Sequence, residues 1–186
     1  MKNLMLLMFA VFTVGFSTAQ TKVGNATLPD TETFEDADLV LNGAGVREKL
    51  WIDLYAAGLY LDKKSSDYKA IISGEKPMAI KLHIVSGLIS SEKLIAAVRD
   101  GFNKSTKGNT APIQPQIDTM LGYFKDEITK DDVFDLVYLP AKGIVAYKNG
   151  EVRGTVKGKE FKEALFGIWL SSDPADKGLK DDLLGN

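Results

Sequence analysis

The stretch that decides the fold is LNGAGVR, at residues 41–47. The residues just before it, 38–41, read as a strand, and the glycines permit a bend or a bulge because they lack a Cβ atom. The stretch after it, residues 50–61, is rich in aromatic and aliphatic side chains, as a largely buried strand should be. The pattern predicts two strands, one before and one after a glycine-rich irregularity.

The middle of the chain carries patterns typical of one further strand and two helices. Residues 78–85 alternate in part and predict a strand, after which Ser90 and Ser91 offer an N-cap for a helix. A second amphipathic helix is predicted over residues 113–128, because apolar residues recur there every three or four positions. A weaker strand is predicted near the start, over residues 23–28.

The last third of the chain has the clearest signals. Residues 133–139 alternate as a strand, and Asn149-Gly150 lies between two apolar runs as the strongest short hairpin signal, since both residues tolerate positive φ. A helix is predicted over residues 159–170, and another is predicted to begin at Asp173-Pro174 with Asp as N-cap and Pro at the first position.

These elements predict the α+β class. We expect an open-faced sandwich, in which an antiparallel β-sheet is covered on one face by a layer of helices. No linker divides the chain, so residues 20–186 are predicted to form one domain. A cleft for an apolar ligand can open between such a sheet and its helices.

The N-terminus has the features of a secretory signal peptide. Lys2 is followed by an apolar run over residues 4–16 and then by the small residues Ser17-Thr18-Ala19. We predict a signal peptide over residues 1–19, cleavage near Ala19, and a protein that is exported to the periplasm or secreted. The alternative is a buried N-terminal helix.

Composition excludes several function classes. The 186 residues contain no Cys and one His, which excludes thiolate metal sites and cysteine nucleophiles and argues against a cluster of His ligands for a metal. We therefore expect no metal and no cofactor. The formal net charge of −2 argues against nucleic acid as a partner. No apolar run reaches the roughly 18 residues that a transmembrane helix needs, so no integral membrane span is expected.

The order of these motifs resembles the chalcone isomerase fold family. The resemblance is carried by LNGAGVR at residues 41–47, YAAGLYL at 55–61, LVYLP at 136–140, the Asn149-Gly150 hairpin and the helix over 161–167. It extends over residues 24–184. The family contains plant enzymes that close a chalcone to a flavanone, and relatives without that activity that bind fatty acids.

The resemblance assigns roles to individual residues. Arg47 matches the Arg that meets the substrate oxyanion in the isomerases and the carboxylate in the fatty-acid binders, and Tyr55 follows the fatty-acid-binding pattern. Ser90, Ala97 and Ala164 stand where the isomerases have Tyr, Asn and Ser or Thr. The resemblance thus implies a non-catalytic protein that binds a fatty acid or a similar amphiphilic carboxylate, with Arg47 and Tyr55 at the head group. The alternative is an intramolecular lyase in which Arg47 stabilises the oxyanion.

Physical chemistry leaves a second interpretation for each of these two residues. Arg47 can hold a carboxylate by two parallel hydrogen bonds, or it can be a solvated strand-end charge that pairs with Glu48 or Asp53. Straight strand from Arg47 to Tyr55 would span about 26 Å, so the chain must turn between them, near Glu48-Lys49, if both are to reach one ligand. Otherwise Tyr55 is a core aromatic residue.

Three further residues are candidates for the wall of an acyl-chain tunnel: Phe102, Met120 and Phe124. Met and Phe make adaptable apolar walls. Their helical spacing fits ordinary core packing equally well.

Overall fold

A computed structural model describes residues 19–186 of the chain. The signal peptide predicted for residues 1–19 falls outside this range apart from Ala19, and it stays a prediction. Within residues 19–186, no helix is both long enough and apolar enough to cross a membrane.

The described chain is built on a seven-stranded antiparallel sheet whose strand order follows the sequence. A two-stranded hairpin precedes it, formed by β1 (Gln20–Val23) and β2 (Ala26–Pro29). The seven strands are β3 (Thr31–Phe34), β4 (Ala37–Lys49), β5 (Ile52–Leu61), β6 (Met78–Ile84), β7 (Val133–Leu139), β8 (Gly143–Lys148) and β9 (Glu151–Val156).

Within residues 19–186, five α-helices accompany the sheet. They are α1 (Tyr68–Ser73), α2 (Ser91–Ser105), α3 (Gln114–Gly122), α4 (Lys159–Leu170) and α5 (Lys177–Leu183), and a 3₁₀ turn at Ala111–Ile113 leads into α3. The main core lies between the sheet and α2, α3 and α4, with side chains such as Leu59, Ile80, Phe102 and Leu165. The predicted α+β architecture, an antiparallel sheet with helices on one face, is confirmed.

The opposite face of the sheet is also partly covered. Ala56 of β5 packs there against the β1–β2 hairpin, whose buried residues include Val23 and Leu28. The single strand predicted over residues 23–28 is therefore wrong: Gly24, at φ +58°, turns the chain and divides this segment into two strands.

The glycine-rich stretch of β4 holds the last helix. The register with β5 shifts at Asn42, which is the predicted bulge, and the Asn42 side chain donates to the Leu183 carbonyl at 2.8 Å. A Cβ atom on Gly43 would lie 2.2 Å from the Asp182 carbonyl oxygen, and one on Gly45 would lie 2.3 Å from the Asp182 carboxylate. The two glycines thus let the backbone of α5 rest directly on the strand.

Two hairpins of the sheet have two-residue turns with positive φ at both positions. In the β8–β9 hairpin the residues are Asn149 and Gly150, as predicted. In the β4–β5 hairpin they are Leu50, at φ +52°, and Trp51, at φ +64°. The chain therefore does turn between Arg47 and Tyr55, but two residues later than Glu48-Lys49.

Two predicted helix boundaries are wrong. The last helix begins at Lys177 rather than at Asp173-Pro174, because Asp176 is its N-cap and accepts a hydrogen bond from the Leu179 amide at 3.0 Å. The helix predicted over residues 113–128 ends at Gly122. Phe124 is buried although it lies beyond the end of the helix. Its place in the apolar pattern therefore reflects burial and not helical structure.

We expect Gly43→Ala to lower the free energy of unfolding by about 2 kcal/mol, since the new methyl group forces α5 away from β4. Gly122→Ala is the control, because no atom lies within 4 Å of its Cβ position. Urea denaturation of both variants measures the difference. An equal effect of the two substitutions would contradict the proposed packing constraint.

Candidate functional site

A pocket of about 640 Å³ opens between the β4–β5 hairpin and helix α2. Its wall is largely apolar. Strands β5 and β6 supply Leu54, Tyr55 and Leu82; helix α2 supplies Leu94, Ala97 and Val98; and the end of α4 supplies Ile168 and Trp169. Arg47 of β4 lies in the same wall and provides a cationic group. The combination of apolar walls with a few polar groups is typical of sites for small amphiphilic molecules.

Arg47 and Tyr55 are directly opposite each other in the β4–β5 register. Because Cα atoms of paired residues are about 5 Å apart, both side chains reach the same end of the pocket. The turn at Leu50-Trp51 makes this pairing possible. The structure therefore brings together the two residues that the family resemblance assigns to a head group.

The Arg47 guanidinium has a partner that sequence reasoning missed. Its Nη1 atom lies 2.5 Å from Oδ2 of Asp176 and also donates to the Glu48 carbonyl at 2.9 Å. The carboxylates of Glu48 and Asp53, the pairing expected in the alternative interpretation, form no ion pair with Arg47. Asp176 follows α4 and caps α5, so it binds Arg47 with one oxygen and the helix with the other. The only sequence signal for Asp176 is that Asp is a favoured N-cap residue at the start of a helix.

Tyr55 contacts Trp169 in the wall of the pocket. The Trp169 indole N–H donates to the Tyr55 phenol oxygen at 3.2 Å. Burial raises the pKa of Tyr55, whereas the Trp169 hydrogen bond and the Arg47 charge act in the opposite direction. Tyr55 is therefore protonated at neutral pH, and its O–H can donate to an acceptor.

The three candidates for a tunnel wall lie away from this pocket. Phe102 stacks on Phe161 with ring centroids 5.5 Å apart, Phe124 meets Phe134 edge-on at 5.3 Å, and Met120 is fully buried. None of the three lines the pocket. All three are buried in the main core, and Phe102 also lines a second hollow, of about 710 Å³, beside α2 and α3. Sequence periodicity does not distinguish core packing from a cavity wall, and the tunnel wall stays a prediction.

Three positions that the family resemblance matches to polar residues of the isomerases are Ser90, Ala97 and Ala164. Ala97 lines the pocket with a methyl group. The Ser90 hydroxyl oxygen accepts a hydrogen bond from the Lys93 amide as the N-cap of α2, and Ala164 is buried in the main core. Within residues 19–186, no group of three or more His, Asp or Glu residues is arranged to hold a metal ion.

The sheet, its single helix layer and the pocket between them define the chalcone isomerase fold. The sequence profile described as chalcone isomerase-like matches residues 20–185, so the chain belongs to the chalcone isomerase-like family. A solved structure with this fold is a fatty-acid binding protein from Arabidopsis thaliana. The TM-score is 0.68 at 20% identity, with 86% of this chain and 91% of that chain covered. Comparison with curated protein sequences gives no match.

We expect Trp169→Phe to raise the pKa of Tyr55 further, since the indole hydrogen bond that favours the phenolate is lost. NMR titration of ¹³C-labelled tyrosine would follow this pKa, with Tyr55→Phe to assign the signal. Trp51→Phe is the control, because the exposed Trp51 does not line the pocket. A pKa that falls or stays constant in Trp169→Phe would contradict the proposed role of the hydrogen bond.

Proposed function

We propose that this protein is a non-catalytic binding protein for a fatty acid or a similar amphiphilic carboxylate. The observation that carries the proposal is the pairing of Arg47 with Tyr55 at one end of a largely apolar pocket. Membership of the chalcone isomerase-like family and the fatty-acid binding protein of the same fold support it.

The pocket suits an acyl chain in size and character. Its volume of about 640 Å³ lies within the range of roughly 300–1,000 Å³ typical of small-molecule sites. Burial of each methylene group contributes about 0.8 kcal/mol. A chain of about twelve carbons can therefore reach micromolar affinity after the entropy lost on association is subtracted.

The polar end suits a carboxylate. Arg has five N–H donors, and the contacts with Asp176 and the Glu48 carbonyl both use Nη1. The remaining donors of Arg47 can make charge-assisted hydrogen bonds to the ligand, and the Tyr55 O–H supplies a neutral one. Asp176 lies beside this site as a second carboxylate, so it competes with the ligand for Arg47.

We also propose that the protein acts outside the cytoplasm, in the periplasm or after secretion, because residues 1–19 have the features of a signal peptide. N-terminal sequencing of the protein from the exported fraction of its producing cells tests this. A mature N-terminus at Gln20 would support the proposal. An intact Met1 in a cytoplasmic fraction would reject it.

We expect Arg47→Gln to weaken binding of dodecanoic acid at least tenfold, since a hydrogen bond to a charged group contributes about 1.5–3 kcal/mol. Calorimetry with dodecanoic acid and dodecanol measures this, and the variant should lose the preference for the acid. The control is Arg153→Gln, which removes the Arg153–Asp126 ion pair outside the pocket.

Native mass spectrometry of the purified protein provides an independent test of the same proposal. We expect an adduct with the mass of a fatty acid, present in Arg153→Gln and reduced in Arg47→Gln. The absence of an adduct, together with no saturable binding of C10–C18 acids, would reject the proposed function.

We expect Asp176→Asn to tighten binding of dodecanoic acid about fivefold, corresponding to about 1 kcal/mol of removed repulsion. Asn is also a good N-cap, so α5 should be retained. Asp173→Asn is the control, because Asp173 is exposed and lies outside the pocket. Weaker binding by a stably folded Asp176→Asn would show that Asp176 orients Arg47 rather than competes for it.

A further inference from the structure

The large exposed hydrophobic residues of the described chain gather at the pocket mouth. Residues 19–186 contain five such residues, and four of them are Leu50, Trp51, Ile52 and Leu88, with exposed fractions of 75%, 90%, 41% and 54%. We call these four residues the rim. The loop that carries Leu88 is held against the β4–β5 hairpin by a hydrogen bond from the Val85 amide to the Leu54 carbonyl at 3.1 Å.

The rim is continuous with the pocket. Leu50, Ile52 and Leu88 belong to the pocket wall, and Trp51 lies between the first two at the hairpin tip. Exposed apolar patches of this kind mark interaction sites, whereas isolated exposed hydrophobic residues do not. The rim therefore belongs to the same functional surface as the pocket.

The hairpin tip holds these side chains in an unfavourable backbone conformation. Leu50 and Trp51 both have positive φ, which is rare for bulky residues. The β8–β9 hairpin has Asn149-Gly150 at the corresponding positions, and this is the pair that such a turn favours. The choice of Leu and Trp is therefore not explained by folding, and strain of this kind is characteristic of functional positions.

The charge at the pocket mouth is positive. Lys49 and Lys93 line the pocket, both are exposed, and neither forms an ion pair with a residue in the described range. Lys104 also lines the pocket, where the carboxylate of Asp100 is 3.5 Å away. With Arg47, the pocket wall holds four cationic side chains and one carboxylate, that of Asp100.

We propose that the rim docks on an anionic lipid surface. Trp51 and Leu50 enter the boundary between head groups and acyl chains, where tryptophan is favoured, and Lys49 and Lys93 contact anionic head groups. The mouth of the pocket then faces the bilayer, so an amphiphile can move between membrane and pocket without crossing water. This exchange rests on the proposed function, whereas the docking itself does not.

Vesicle flotation tests the docking surface. We expect the purified protein to float with vesicles of phosphatidylcholine and phosphatidylglycerol at a ratio of 70:30, and to bind pure phosphatidylcholine vesicles less. Trp51→Gly should reduce binding at least fivefold, and glycine suits the positive φ at this position, so the variant should remain folded. The double variant Lys49→Gln/Lys93→Gln should also bind less.

Matched controls separate the rim from general surface effects. Val152→Ser removes the fifth exposed hydrophobic residue, which lies on β9, away from the pocket. Lys125→Gln/Lys130→Gln removes two exposed lysines outside the pocket. Both controls should bind vesicles like the unaltered protein. An equal loss of binding in a control and in its rim counterpart would overturn the proposal.

Tryptophan fluorescence tests whether Trp51 is the residue that contacts the vesicle. The sequence has two tryptophans, and Trp169 is only 3% exposed. We expect anionic vesicles to shift the emission to shorter wavelength and brominated lipids to quench it, with both effects lost in Trp51→Gly. Absence of vesicle binding, or a dimer in light scattering that Trp51→Gly dissociates, would overturn the proposal.

The docking surface and the proposed function can fail separately. Trp51 does not line the pocket, so Trp51→Gly should bind dodecanoic acid in vesicle-free solution as the unaltered protein does. Fatty-acid binding without vesicle binding would reject the docking surface alone. Vesicle binding that depends on Trp51, without fatty-acid binding, would support the docking surface and reject the proposed function.

Discussion

The close approach of α5 to β4 is the constraint on which the pocket depends. Gly43 and Gly45 leave space for the Asp182 backbone and side chain, and Asn42 binds the Leu183 carbonyl at the far end of the helix. The near end is fixed by the ion pair of Asp176 with Arg47. Residues 41–47 therefore form one surface on which the helix packs. The last of these residues, Arg47, also contributes its cationic group to the pocket.

This arrangement links the polar end of the pocket to the C-terminus of the fold. The end of α4 and the segment that follows it pass the pocket, so Trp169 of α4 contacts Tyr55 and Asp176 contacts Arg47. The two head-group candidates are thus each held by one residue from the C-terminal segment. These contacts order Arg47 and Tyr55 in advance, which reduces the entropy that a bound ligand costs. The charge of Asp176 acts in the opposite direction on a carboxylate, because like charges repel.

Local sequence patterns predicted those features that depend on neighbouring residues. The Asn149-Gly150 turn, the N-cap at Ser90 and the helix over 159–170 follow from backbone preference and periodicity. The Arg47–Asp176 pair joins residues 129 positions apart, and no local pattern encodes it. The same limit applies to Phe102, because an apolar stripe records burial without showing whether a cavity or another side chain lies opposite.

The two hairpins of the sheet show how stability and binding are distributed over the molecule. At the β8–β9 hairpin the turn residues match their backbone conformation, whereas at the β4–β5 hairpin Leu50 and Trp51 do not. The β4–β5 hairpin can tolerate this strain because β5 is paired with β4 along its length and with β6 from Tyr55 onward, and because its inner residues, such as Leu59, are fully buried. Strong pairing near the centre of the sheet thus lets the tip of the same strands present exposed apolar groups beside the pocket.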